Sequence, residues 1–494
     1  MKRRLEFVLA LSIAAGLSGC SLAPAYKVPE VPVADQYQEH GDAMGKSWVM
    51  AQPADQLSRD GWWQLYGDAR LDDLQQKLLA NNADLAAALA HYQQAQAFSA
   101  QARAGMFPQV GASANGQRDR QSDTKPLRGA TSPAIYESYT VGVEIDYEVD
   151  LWGRVRNTVE AGRDDALAAA ADLASARLSL QAQLADNYIV LRGLDQQIKL
   201  LDESIHAYQK ALELTQTRHG GGIASGLDVS RAQTQLSSTK SQWSQTAAQR
   251  AMTEHAIAVL VGESASSFHI DPVTDAIPLP TVPVTVPSVL LQRRPDIAAA
   301  ERRTAAANAR IGVARAAYFP SLGLSALGGF QSAEYGGLLT APNQFWAVGP
   351  TFLWSVFDGG RRKAGVAAAR AATDEAGAHY RGIVLTAFQQ VEDNLAQLNH
   401  YGTARGDQQD AADAAQHSLD LAMDRYRQGA VGYLDVVAAQ TTALDAQRSL
   451  LDLDTRQLRA SVQLVRALGG GWSTDALAEL SRRSAMDEAR GPTR

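Results

Sequence analysis

The chain states its plan twice. Four landmarks recur in the same order, displaced by about 200 residues. Met106-Phe107-Pro108-Gln109-Val110 is answered by Tyr318-Phe319-Pro320-Ser321-Leu322, and Asp150-Leu151-Trp152-Gly153-Arg154 by Asp358-Gly359-Gly360-Arg361. Arg218 through Gly222, then Leu227-Asp228-Val229, is answered by Arg425 through Gly429, then Leu434-Asp435-Val436. Ala258-Val259-Leu260-Val261-Gly262 is answered by Arg466-Ala467-Leu468-Gly469-Gly470. One such pair is within reach of chance in Ala-rich helices. Four in register are not, so the fold must consist of two structural repeats of one element order.

That order can be read from the periodicities. A helix (70–104; 295–316) ends at a Phe-Pro, where proline forbids continuation. Two strands follow (108–118 and 137–149; 320–331 and 345–357). A very long helix comes next (156–218; 361–427), then a glycine-bearing turn and a return helix (227–262; 434–468). Within the long helices the apolar positions step by three and four. They run Tyr188, Leu191, Leu194, Ile198, Leu201, Ile205, Tyr208, Leu212 in the first repeat and Tyr380, Val384, Ala387, Val391, Leu398 in the second. This is a coiled-coil seam. At about 1.5 Å per residue such a helix is roughly 90–100 Å long, a length that suits a rod or a tube. Pro272, Pro278, Pro280, Pro283, Pro287 and Pro295 mark an extended linker between the repeats. The expected division is a signal peptide at 1–19, an N-terminal segment at 20–69, the first repeat at 70–270, the linker at 271–294, the second repeat at 295–472 and a C-terminal tail at 473–494.

The strands carry the next constraint. In residues 139–150, YTVGVEIDYEVD, Tyr139, Val141, Val143, Ile145, Tyr147 and Val149 alternate with Thr140, Gly142, Glu144, Asp146 and Glu148. Strict period-two alternation describes a strand with one apolar and one wet face. Trp346, Val348, Pro350, Phe352, Trp354 and Val356 repeat the pattern in the second half, with Leu353 as the exception. Aromatic residues near the strand ends suit a membrane interface. A strand in lipid must be paired on both edges, and the smallest single-chain barrels need about eight strands. Four strands therefore require a ring of identical chains that pool them. In that ring Glu144, Asp146 and Glu148 line a water-filled, cation-favouring lumen.

The N-terminus reads as an export signal. Lys2, Arg3 and Arg4 precede the apolar run Phe7–Leu17, and the only cysteine of the 494 residues, Cys20, follows Leu17-Ser18-Gly19. That ending resembles a bacterial lipobox, in which the cysteine carries a diacylglycerol and becomes the first residue. A lone cysteine leaves no intrachain disulfide. Removal of residues 1–19 takes the net charge from -7 to -9. With no basic block, nucleic acid is not an expected partner. A mean hydropathy of -0.21 and the lack of an apolar run of about 18 residues argue against membrane-spanning helices. The nine histidines are scattered, with no HExxH, Gly-x-Ser-x-Gly or P-loop pattern, so neither an enzyme nor a metal site is expected.

Together these features resemble the outer membrane efflux protein family, the TolC-like exit ducts of tripartite pumps. Within it the chain is most similar to the NodT-type lipoproteins that serve resistance-nodulation-division transporters. The resemblance is carried by Cys20 with Pro24-Ala25-Tyr26-Lys27-Val28-Pro29, by Trp62-Trp63 with Gly67-Asp68 and Leu71, and by Asn82 with Leu85. It is sharpest at Arg293-Arg294-Pro295-Asp296-Ile297 with Ala300-Glu301, followed by Ala309 through Arg315 and Phe319-Pro320. The resemblance implies a mainly α protein with a membrane β-barrel. Three copies would close a 12-stranded outer-membrane barrel continued by a periplasmic coiled-coil tunnel. The implied partners are a periplasmic adaptor, a proton-driven inner-membrane transporter and outer-membrane lipid. Ser21, in place of aspartate after the cysteine, favours the outer membrane.

In such ducts the gate lies where the hairpins turn, here at His219–Gly226 and Gln428–Tyr433. The resemblance points to Asp435, and less clearly to Asp228, as gate carboxylates. Either acid also suits the first turn of a helix. Ala438 and Val431 stand where other members carry acids, so closure would rest partly on Val431 and Tyr433. Arg218 and Arg425 are expected either to bridge hairpins or to cap helix ends. A duct for type I secretion or metal export, and a lipid-anchored scaffold without a pore, are the competing expectations. Substitution of the lipobox cysteine, Cys20→Ser, is expected to abolish labelling by radioactive palmitate in growing cells; undiminished labelling removes the lipid anchor.

Overall fold

The computed structural model describes residues 21–32, 37–39, 61–122, 124, 129, 133–280, 282 and 293–470. The signal peptide, Cys20, part of the linker and the C-terminal tail lie outside the described residues. The helices are α1 (Ala69–Asn81), α2 (Ala83–Ala104), α3 (Arg154–Gly220), α4 (Gly226–Leu260), α5 (Pro295–Ala316), α6 (Arg361–Arg427) and α7 (Tyr433–Ala467). The strands are β1 (Gln109–Arg120), β2 (Ile135–Val149), β3 (Ser321–Ser332) and β4 (Gln344–Leu353). Both long helices have 67 residues and both return helices 35, so the repeat seen in the sequence is exact in the lengths of these helices. The chain forms two compact units, and these do not follow the repeats. One holds residues 1–29, 92–169 and 300–380; the other holds 30–91, 170–299 and 381–494. Each unit takes its parts from both halves.

Two local expectations are corrected. The helix read over 70–104 is broken at Asn82, whose backbone is extended. Its Oδ1 accepts the Leu85 N–H at 2.8 Å and its Nδ2 donates to the Leu260 carbonyl at 2.9 Å. The side chain that ends α1 thus caps α2, a choice that favours asparagine over helix continuation. The strand read over 345–357 stops at Leu353, because its partner β3 begins opposite at Ser321. Trp354 and Val356 fall in the connection.

In the first unit the four strands form one antiparallel sheet in the order β1-β2-β3-β4. Register fixes its faces, because residues directly opposite one another point to the same side. Val143 faces Ala112 and Gly328, Ile145 faces Val110 and Ala326, and Ala326 faces Val348. One side of all four strands is therefore apolar. It is also exposed, with Trp346 at 75% and Val348 at 71%. The helical parts of this unit meet through alanines, Ala161 against Ala306 and Ala309. The N-terminal segment is pinned on them. Ser21 Oγ donates to Asn157 at 2.8 Å, Asn308 and Arg315 donate to the Pro24 and Leu22 carbonyls, and the Tyr26 hydroxyl donates to Glu301 Oε1 at 2.8 Å.

The second unit is built mainly from the long and return helices. Tyr188, Leu191 and Leu201 on α3, and Val384 and Val391 on α6, are fully buried, as the seam requires. Buried arginines tie connecting segments to this body. Arg250 donates to Asp195 at 2.6 Å, to Glu254 at 2.8 Å and to the Ile270 carbonyl at 2.6 Å. Arg294 donates to both Asp296 oxygens, to Gln390 and to the Ala467 carbonyl at the end of α7. The Arg-Arg-Pro-Asp motif is thus a clamp that starts the second repeat where the first turn of α5 meets the last carbonyls of α7.

In the first unit, burial pushes the Asp164 carboxyl up to about 6; Arg302, 3.7 Å away, opposes the rise, and Glu160 and Glu301 add to it. A carboxyl that binds its proton more tightly when folded favours the native state at acid pH. That contribution is complete below the unfolded value near 4 and is lost as pH rises through about 6. Asp164→Asn is therefore expected to raise the melting temperature at pH 7.5 and leave it unchanged at pH 4. Equal melting of the two proteins at pH 7.5 would contradict this.

Candidate functional site

The wet face of the sheet contains the three acids picked out by alternation. Glu144 lies opposite Gly111 and Leu327, and Asp146 opposite Gln109 and Ser325; Glu148 lies opposite Gly323. Ser113 and Asn115 continue this face on β1 through their partners Gly142 and Thr140. The face is less acidic than the strand alone suggests. Glu148 is held by Arg154, whose Nε donates to Oε1 at 2.7 Å and whose Nη2 pairs with Oε2. Arg154 belongs to the first turn of α3, and strand periodicity carries no information about it. Glu144 and Asp146 have no such countercharge among the described residues.

The second candidate region is the pair of helical turns, both within the second unit. Each turn reverses through a glycine in the left-handed region, Gly222 at φ 76° and Gly429 at φ 78°. The Ile223 N–H reaches back to the Arg218 carbonyl at 2.8 Å, and the Ala430 N–H to the Arg425 carbonyl at 2.9 Å. These are matching helix ends of the Schellman type, in which only glycine is free of strain.

The side chains of the two turns diverge. Ser225 and Asp228 form a closed capping box: the Asp228 N–H donates to Ser225 Oγ at 3.2 Å, and the Ser225 N–H and hydroxyl donate to Asp228 Oδ2 at 3.2 and 2.8 Å. Arg231 lies 3.5 Å from the other oxygen. The corresponding N-cap of α7 is Gly432, which has no side chain to offer. Asp435 is exposed, and among the described residues its carboxylate has no hydrogen-bond or ion-pair partner. The same is true of the exposed side chain of Arg425.

Arg218, Val431 and Tyr433 meet in one cluster that joins the two turns. The Arg218 guanidinium lies 4.7 Å from the centre of the Tyr426 ring and donates to the Tyr426 carbonyl. A contact of this kind is worth about 0.5–2 kcal/mol. Tyr426 packs edge-on against Tyr433 at 5.2 Å, and its hydroxyl reaches Thr215 at 3.3 Å. The Tyr208 hydroxyl donates to the Gln440 carbonyl at 3.1 Å. Tyr433 is 1% exposed, and Val431 packs at the cluster edge. Burial pushes the Tyr433 hydroxyl up to about 12, so it stays protonated at neutral pH. Thr215 and Tyr426 were not singled out from the sequence, and Tyr208 only as a position of the apolar seam. The one available signal was that Tyr426 stands where the first repeat has His219.

An exposed apolar sheet face and a charged pair of hairpin turns on one duplicated chain are the parts of a membrane conduit, and known proteins agree. The outer membrane efflux protein family model matches residues 74–263 and 286–470. This chain belongs to the outer membrane efflux protein family. It is an outer-membrane efflux channel, a passive conduit rather than an enzyme. The probable efflux pump outer membrane protein TtgC of Pseudomonas putida is 35% identical over 458 residues, covering 92% of this chain and 93% of that one. Outer membrane protein OprJ of Pseudomonas aeruginosa is 32% identical over 468 residues, covering 94% and 96%. Among solved structures, the outer-membrane channel OprN is 30% identical, with a TM-score of 0.83 over 92% of this chain and 100% of that one. The Campylobacter jejuni CmeC outer membrane channel, at 22% identity and a TM-score of 0.85, shares the fold over 94% and 98%.

Proposed function

We propose that three copies of this chain close a 12-stranded barrel in the outer membrane and continue below it as a periplasmic helical tunnel. The tunnel receives its cargo from an adaptor and an inner-membrane transporter of a tripartite pump. The observation that carries the reading is the four-stranded sheet. Among the described residues nothing pairs with the outer edge of β1 or of β4, and one whole face is apolar and exposed. Lipid cannot satisfy those edges, so β4 of one copy must meet β1 of the next. Relatives named for toluene and antibiotic efflux support small organic toxicants as cargo, and a lipid on Cys20 anchors the assembly.

In this reading the turns form the gate. Asp435 and Arg425, exposed and without partners in the single chain, face their counterparts in neighbouring copies. Arg218, Tyr426 and Tyr433 hold the two hairpins of each copy together from inside. Val431 supplies apolar closure at the edge. Asp228 serves its own helix and has little charge to spare.

Two measurements test the proposal. Cysteines introduced one at a time into β1 and β4 are expected to cross-link in pairs and to give a ladder ending at three chains; a ladder ending at two would sink the 12-stranded ring. The double variant Asp435→Ala, Arg425→Ala is expected to raise single-channel conductance in planar bilayers at least severalfold. Unchanged conductance would remove the gate from these turns.

A further inference from the structure

The two repeats differ at the helix end of the sheet in a way that the channel reading does not use. In the first repeat the connection from β2 to α3 is internally neutral. Glu148 holds Arg154. Asp150 accepts the Val155 and Arg156 N–H groups at 3.1 and 2.8 Å and pairs with the Arg156 guanidinium at 3.2 Å. Trp152 is stacked on Phe319 at 4.5 Å and donates to the Pro320 carbonyl at 2.7 Å.

In the second repeat Asp358 keeps the capping role. It accepts the Gly360 and Arg362 N–H groups, both at 3.0 Å, and the Arg362 guanidinium at 2.6 Å. The position two residues before the capping aspartate, Glu148 in the first repeat, is Val356 in the second. The acid has gone, yet the cations remain. Arg361 and Lys363 are exposed, and neither has an acidic partner among the described residues. A first helical turn favours anionic side chains, so two unpaired cations here do nothing for α6. The residues just before them are greasy and uncovered: Trp354 is 56%, Val356 77% and Phe357 89% exposed. They continue the apolar face of β4, where Trp346 and Phe352 are also exposed.

We propose that the segment from Trp354 to Lys363 docks anionic phospholipid of the leaflet on the helix side of the barrel. Arg361 and Lys363 take the headgroup phosphate, while Trp354, Val356 and Phe357 lie along the upper acyl chains. The proposal rests on the reading that the sheet crosses the outer membrane. Two features select the occupant. The patch is continuous with the lipid-facing side of β4, and its only uncompensated charges are positive. Each cation near an anionic lipid surface contributes enough that two give roughly a tenfold to thirtyfold preference over neutral lipid. The first repeat cannot do the same, because Arg154 is already neutralised by Glu148.

The test uses the full-length lipidated protein in mixed micelles with phosphatidylglycerol or phosphatidylethanolamine, with retained lipid counted by native mass spectrometry. The wild type is expected to retain phosphatidylglycerol at least about tenfold better. R361Q/K363Q is expected to lose that preference while keeping its conductance and its oligomeric state, and R154Q to keep the preference. A double variant that holds as much phosphatidylglycerol as the wild type overturns the proposal. So does a double variant that falls apart into single chains with lipid retention unchanged, since the cations would then serve a neighbouring copy. A wild type that conducts but does not discriminate the lipids overturns this inference alone. A wild type that neither assembles nor conducts overturns the channel architecture beneath it.

Discussion

The backbone hydrogen bonds that β1 and β4 leave unmade govern everything else about this molecule. Water would satisfy those edges at no great cost, but lipid would not. The apolar face spread over Val110, Val143, Ile145 and Val348 suits lipid, and the family places the chain in the outer membrane. The described residues cannot close the sheet, since each repeat supplies only two strands among them. The duplication that gives the chain its matched long helices also gives it two strands per repeat among the described residues. In the proposed ring, assembly follows from strand count and not from any particular contact.

Elements with strong periodicity were legible in the sequence. Both long helices, both return helices and all four strands fall within a few residues of where the patterns put them, because their spacing reports a single dominant burial face. What escaped was local and polar. Asn82 breaks a helix through one side-chain cap, which no average over a window reveals. Glu148 reads as a lumen acid until Arg154, six residues on and in a different element, is seen to neutralise it. Tyr433 reads as a plug until it is found inside the cluster with Tyr426. Each of these depends on a partner from another element, and a one-dimensional pattern records faces but not partners. The roles of Arg250 and Arg294 escaped for the same reason.

Duplication also separates scaffold from function. Where the repeats agree, the physics is that of the backbone. Gly222 and Gly429 adopt the same left-handed turn, and Asp150 and Asp358 cap the corresponding long helices α3 and α6. Where they disagree, a charge has been released. Ser225 ties Asp228 down, whereas Gly432 leaves Asp435 free. Glu148 ties Arg154 down, whereas Val356 leaves Arg361 free. In both cases the first repeat keeps the internal partner and the second loses it. Asp435 keeps only the modest helix-dipole contribution of an acid in a first turn, and Arg361, a cation at a helix start, has not even that.

That asymmetry has a structural basis. The first repeat must hold the segments that cross it: Arg192 and Arg250 bind the carbonyls of Val273, Asp275 and Ile270 at the start of the linker. Buried ion pairs of this kind add little net stability over apolar packing, but removing one partner is costly, about 3–5 kcal/mol. Their effect is to fix one path for the chain between its halves, and Arg294 fixes where the next repeat begins. With the join held by these clamps, the exposed Asp435 at the turn and Arg361 at the strand foot of the second repeat have no partner to hold among the described residues, whereas Tyr426 and Tyr433 beside that turn still bind the two hairpins together. Polar clamps at the join and released charges at the ends are two consequences of one division of labour between copies that began alike.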